Sequence, residues 1–116
     1  SVDTTLEKLR SLSLLNDEAF ARGWARGRAE GRSYGPLRIE RELRQKGVAR
    51  PLISQVVKET FGREEGRERA RGLVAKRFRG KDLGDRKVLH RAAAFLQRRG
   101  YRNAVIAEVL KQPVDE

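Results

Sequence analysis

Leu43, Gly47, Val48, Ile53, Val56 and Lys58 return 53 residues later as Leu96, Gly100, Tyr101, Ile106, Val109 and Lys111. Within each set, a leucine four residues before a glycine and an apolar residue just after it mark a helix that ends in a left-handed glycine turn. The apolar residues that follow, spaced by three and four, belong to one face of a further helix. A helix, stop and helix used twice indicates stacked copies of a small helical unit. The offset fails across Arg79 to Asp85, so the loops before the shared portion differ in length.

The rest of the chain supplies the other helices. It holds only three prolines, and strand-like alternation does not persist. Asn16 followed by Asp17 and Glu18 predicts a helix start, with Leu15 stapling to Phe20. Phe20, Trp24, Gly27 and Gly31 then share one face, which suits a closely approaching neighbour, and Trp24 is expected to be internal. Gly35-Pro36 predicts the next start, with Tyr34 stapled to Ile39, and Gly47 its end. Pro51 opens a third helix whose Leu52, Ile53, Val56 and Val57 face inward. Ala70, Leu73, Val74 and Phe78 form the stripe of a fourth, and Val88, Leu89, Ala92 and Leu96 that of a fifth. Asn103 is expected to cap the last. Leu6, Leu9 and Leu12 give one more apolar stripe near the start. It reads either as the last helix of a preceding unit or as part of a single bundle. The predicted fold is all-α, with tandem three-helix repeats in an elongated, curved arrangement. The expected divisions are a remnant helix over 1–15 and three-helix units over 16–62 and 63–116.

Charge narrows the partners. Lys and Arg number 27 against 16 Asp and Glu, a formal charge of +11, which favours a polyanion or an acidic protein surface. Without cysteine there are no disulfides, thiolate metal sites or cysteine nucleophiles. Catalysis needs converging groups of suitable pKa, and the sequence offers little of that. His90 is the single histidine and projects to a helix flank, while Glu40 and Glu42 lie two apart on one helix and do not face each other. Glu64, Glu65 and Glu68 sit among arginines and suit surface ion pairs. No phosphate loop or dinucleotide fingerprint occurs. With no secretory signal or long apolar run, a cytoplasmic protein that does not enter a membrane is expected. The start at Ser1-Val2 without Met reads as a processed product or a fragment.

Arg38, Arg41 and Arg44 are expected on the outward half of the helix whose inner face is Ile39 and Leu43. Lys87, Arg91 and Arg98 lie opposite Leu89 and Leu96, and Arg22 and Arg26 opposite Phe20 and Trp24. For any single arginine a solvated face is explanation enough. The sign is not: residues 22–50 hold nine basic and three acidic residues, and residues 69–99 hold eleven and two. With Arg28 and Arg32 added, these are the candidate partner-binding residues. Their forked hydrogen bonds suit carboxylate and phosphate alike. Exposed aromatics for base stacking are scarce.

LLNDEAFARGW, SYGPLRIERELRQKGV, and FLQRRGY followed by AVIAEVLK resemble the RecX family of bacterial regulatory proteins, from Leu6 to Lys111. Asn16, Asp17 and Phe20 match the family's helix-opening motif. Tyr34, Gly35, Pro36, Arg38, Ile39, Leu43 and Gly47 match its middle-repeat signature. The resemblance implies a non-enzymatic protein of tandem three-helix repeats that lies along a RecA recombinase filament on DNA. It would inhibit ATP hydrolysis, strand exchange and SOS co-protease activity there. It implies no cofactor, and a monomer is expected. Ser13 stands where the family often has Gly, and Ala49 and Arg102 replace small polar residues. The first repeat is absent apart from its last helix, so the resemblance is to a shortened member. A helical module gripping DNA directly, as a second partner or the principal one, is the alternative. In that reading Pro36 to Val57 imitates a helix-turn-helix, although the third helix offers few outward side chains to read bases.

Overall fold

Three alanines set the first packing surface. Ala21, Ala25 and Ala29 recur every fourth residue, so they line one stripe of a helix, and each is fully buried. That helix, α1 (Val2–Gly31), is followed by α2 (Pro36–Gln45), α3 (Arg50–Phe61), a 3-10 turn (Gly62–Glu64), α4 (Arg67–Arg77), α5 (Arg86–Arg99) and α6 (Asn103–Leu110). The structure is a computed structural model and describes residues 2–111, with side chains from Asp17 onward. No strand occurs among the described residues. The stripe of Leu6, Leu9 and Leu12 lies outside the described side chains.

Two separate cores form. The alanine stripe packs with Ile39, Leu43, Val48, Ile53, Val56, Val57 and Phe61, joining α1, α2 and α3. Ala70, Val74, Ala92, Leu96, Tyr101, Val105, Ile106 and Leu110 form the second core, joining α4, α5 and α6. The fold is therefore two tandem three-helix units in an elongated molecule, as the repeat predicts.

Both predicted glycine stops close in the same way. After α2, Gly47 has φ +86, its N–H donates to the Arg44 carbonyl at 3.0 Å, and the Val48 N–H donates to the Leu43 carbonyl at 3.0 Å. After α5, Gly100 has φ +97, with Gly100 bonding Gln97 at 3.0 Å and Tyr101 bonding Leu96 at 3.1 Å. Each is the double bond of a Schellman ending, and the residue after the glycine seals it against the core.

Three expectations need correction. Asn16 does not open a helix: α1 runs unbroken through it. The face of α1 that packs closely is the alanine stripe, whereas Gly23, Gly27 and Gly31 would accept a Cβ with nothing within 4 Å. Phe20 is exposed and Trp24 half-buried, because at about 100° per residue Trp24 lies beside the alanine stripe and Phe20 points further round, away from it. Asn103 does not cap α6. Arg102 occupies the cap position, with extended backbone and no side-chain bond to the helix start, and Asn103 Oδ1 instead accepts from the Gln97 amide at 3.3 Å.

The two units meet through backbone. The Gly35 N–H donates to the Arg99 carbonyl at 2.7 Å, and the Leu37 N–H donates to the Gly100 carbonyl at 2.8 Å. Pro36 has no N–H to place, so Leu37 carries the first helical donor of α2 that lacks a partner within its own helix. The carbonyl end of α5 supplies that partner, and the helix ends meet with opposite partial charges. Contact this close excludes side chains. A Cβ on Gly35 would lie 2.6 Å from the Gly100 oxygen, and one on Gly100 would lie 2.4 Å from the Arg38 Cβ. Side chains clasp the joint around this contact. The Tyr101 hydroxyl donates to the Ser33 carbonyl at 2.7 Å, Arg69 to the Ala29 carbonyl at 3.0 Å, and Arg102 pairs with both Glu40 and Glu65 at 2.9 Å.

Candidate functional site

Beside the joint, the two units enclose an open groove of about 1170 Å³. The turn after α1 and the start of α2 form one wall, and α4 and α5 form the other. Its cations are Arg32, Arg38, Lys76, Arg77, Arg98 and Arg99, and among the described residues no carboxylate lines it. Tyr34, Leu73 and Phe95 supply the apolar part of the lining.

Stacking and hydrogen bonds order several of these cations. The Arg38 guanidinium lies 4.1 Å from the Tyr34 ring centre, and Arg99 lies 5.2 Å from Phe95 and 5.9 Å from Tyr34. Arg77 approaches Phe95 at 5.9 Å. Arg99 also donates to the Arg32 carbonyl, and Arg38 donates weakly to the Arg98 carbonyl at 3.5 Å. Among the described residues, Arg32, Lys76, Arg77 and Arg98 form no ion pair. A smaller depression of about 330 Å³ shares Arg77, Phe95 and Arg98 and adds Lys81 and Arg91, so the basic track continues past Phe95.

The candidate arginines divide by this geometry. Arg32, Arg38 and Arg98 line the groove, and Arg91 lies on its continuation. Arg26, Arg41, Arg44 and Lys87 are exposed outside it. Arg22 pairs with Glu18 at 3.3 Å and Glu59 at 3.0 Å, holding α1 to α3. These hydrogen bonds and charges raise the Arg22 pKa and lower that of Glu59. Arg28 is half-buried over the Trp24 ring at 4.3 Å and pairs with Glu42 at 3.5 Å. Arg38 is also half-buried and pairs with Glu42 at 3.3 Å, so it is not the freely exchangeable outward residue that helical spacing predicts. The Trp24 indole N–H completes the Glu42 site at 2.9 Å.

Sequence reasoning missed Lys76, Arg77 and Arg99 as groove residues, and Tyr34 and Phe95 as its aromatic lining. One signal was present: Arg99 precedes the repeated stop glycine, and that glycine forms the joint. Among the described residues, no acidic or histidine cluster could hold a metal, and no helix is long and apolar enough to cross a membrane.

A family model described as the second three-helix domain of RecX matches residues 16–57, and one described as the third matches residues 64–110. The protein called Regulatory protein RecX in Streptomyces coelicolor is 36% identical over 117 residues, covering 100% of this chain and 62% of its own length. The one in Trichlorobacter lovleyi is 36% identical over 109 residues, covering 92% of this chain and 71% of its own length. In Halorhodospira halophila the figures are 39% over 100 residues, 86% and 60%. This chain thus spans roughly six-tenths of the relatives it first matches. No solved structure matches it. With two successive domain matches lying over its two three-helix units, and with relatives aligned across both, the chain belongs to the RecX family of regulatory proteins.

Proposed function

We propose that the chain binds a RecA recombinase filament on DNA and restrains its activity by occupying the filament surface rather than by catalysis. The observation that carries this reading is the groove at the joint: six cations, with no lining carboxylate among the described residues, drawn from both three-helix units. A groove built from two repeats suits a partner that is itself repetitive, because linked modest contacts add through effective concentration. On this reading the working units are residues 16–62 and 63–116, and the protein acts as a monomer in the cytoplasm.

The test compares binding to naked single-stranded DNA with binding to the same strand coated by recombinase and a slowly hydrolysed nucleotide. The ionic strength is about 0.15 M, where exposed charges act over only about 8 Å. The coated strand is expected to be preferred, and recombinase ATP turnover to fall as the chain is added. Preference for the naked strand, with affinity falling steeply as salt rises, would instead establish direct DNA binding. Two pairs of charge reversals map the exposed faces: Arg41→Glu with Arg44→Glu, and Lys87→Glu with Arg91→Glu. Arg38 is left out because its loss would also strip a partner from Glu42.

A further inference from the structure

We propose that the groove receives an acidic peptide segment of a protein partner, carrying carboxylates on either side of an apolar side chain. This rests on the filament-regulator reading and deepens it by naming the chemistry of the docked segment.

The lining has the pattern such a segment requires. Leu73 and Phe95 contribute apolar lining, and Arg32, Lys76, Arg77 and Arg98 line the same groove without ion-pair partners among the described residues. Arginine forks beside an apolar surface hold carboxylates while that surface buries the side chain between them. The basic track past Phe95 through Lys81 and Arg91 gives the site length, which suits an extended chain better than a point anion.

The aromatic rings favour peptide over a nucleic-acid strand. Single strands are held largely by bases stacked on open ring faces. Here Arg38 covers Tyr34 at 4.1 Å, and Arg99 approaches both Tyr34 and Phe95, so the rings serve to position guanidinium groups. The fold already contains a small version of the proposed recognition. Glu42 accepts from the Trp24 indole N–H and lies between the Nε groups of Arg28 and Arg38, a carboxylate flanked by two guanidinium groups beside an aromatic ring.

The probe is a short fluorescein-labelled peptide of alternating Glu and Ser with one central Leu, read by anisotropy on the full chain. Its controls are the same peptide with Gln for Glu, the same peptide with Ser for Leu, and an oligothymidine of equal charge. Wild type is expected to bind the acidic peptide more tightly than all three. Arg77→Glu with Arg98→Glu should weaken that binding by about tenfold or more, since two charge-assisted contacts are lost and reversed. Arg41→Glu with Arg44→Glu changes net charge equally and should alter binding by less than about twofold, because these residues lie outside the groove. Helicity measured by circular dichroism checks that each variant folds. If the first pair fails to fold, the wild-type ranking of the four probes still decides. Equal weakening by both pairs, no dependence on the central Leu, or tighter binding of oligothymidine would overturn the proposal. Filament binding is measured beside it. A wild type that binds filaments but ignores the peptide overturns the groove proposal and leaves the regulator reading. One that binds the peptide but ignores filaments does the reverse.

Discussion

Glu42 is where single side chains carry most tertiary consequence. Its side chain is only 15% exposed and faces an indole N–H and two guanidinium groups, so its removal leaves three polar partners short of an acceptor. Glu42→Ala should destabilise the fold by roughly 1–3 kcal/mol. Trp24 is the single tryptophan and reports the change, so a denaturant titration followed by its fluorescence measures it directly. Tyr101 is the second such residue. Burial pushes its hydroxyl up from 10.0 to about 12, against the opposing pull of Arg69 and Arg99. The folded protein therefore favours the neutral phenol. The resulting stabilisation is complete below about pH 10, declines as pH rises towards 12, and should be absent from Tyr101→Phe. Below pH 10 that variant should lose only the bond to Ser33, roughly 1 kcal/mol. Ile39, Leu43 and Leu96 could be read from the sequence as core because apolar spacing alone determines it. The Arg102 contacts with Glu40 and Glu65 could not, because they join residues that only the joint brings together.

Among the elements, the two stop glycines form a matched pair whose difference isolates the joint. Both have left-handed φ, but a Cβ on Gly47 meets nothing within 4 Å, whereas one on Gly100 strikes the backbone and Cβ of Arg38. Gly47→Ala should cost about 1 kcal/mol, the conformational penalty alone. Gly100→Ala should cost clearly more, and thermal denaturation of the two variants measures the excess. Gly35→Ala, whose φ is an ordinary −87, should also be destabilising, since its only obstacle is the neighbouring unit. The stops were legible because a Schellman ending is local: one leucine, one glycine and one apolar residue define it. The start expected at Asn16 failed for a related reason. A capping residue inside a helix costs only a few tenths of a kcal/mol against continued helix, so the local signal permits a start without enforcing one. Asn103 failed because the backbone becomes extended one residue earlier, at Arg102.

At the scale of the whole molecule, the two cores lie along an axis rather than around a centre. The Cα radius of gyration is 18.3 Å. A globular chain of this length would have about 13 Å. Small-angle scattering should return a value near the larger figure, and a value near the smaller would exclude the elongated arrangement. Net charge was legible in the composition, but the groove was not, because Arg32 and Lys76 share a wall-to-wall space only once the joint is made. That joint also has a polarity: one unit offers a socket, the open N–H groups at the start of its middle helix, and the next offers a plug, the carbonyls ending its own. Socket and plug differ, so two copies cannot satisfy each other symmetrically through one such contact. The corresponding socket on the second unit is stoppered from within. The Asp85 side chain accepts the Lys87 N–H at 2.9 Å, at the helix position where Leu37 reaches across to Gly100. Among the described residues the one plug in use fills the one open socket, and Asp85 makes the other self-sufficient.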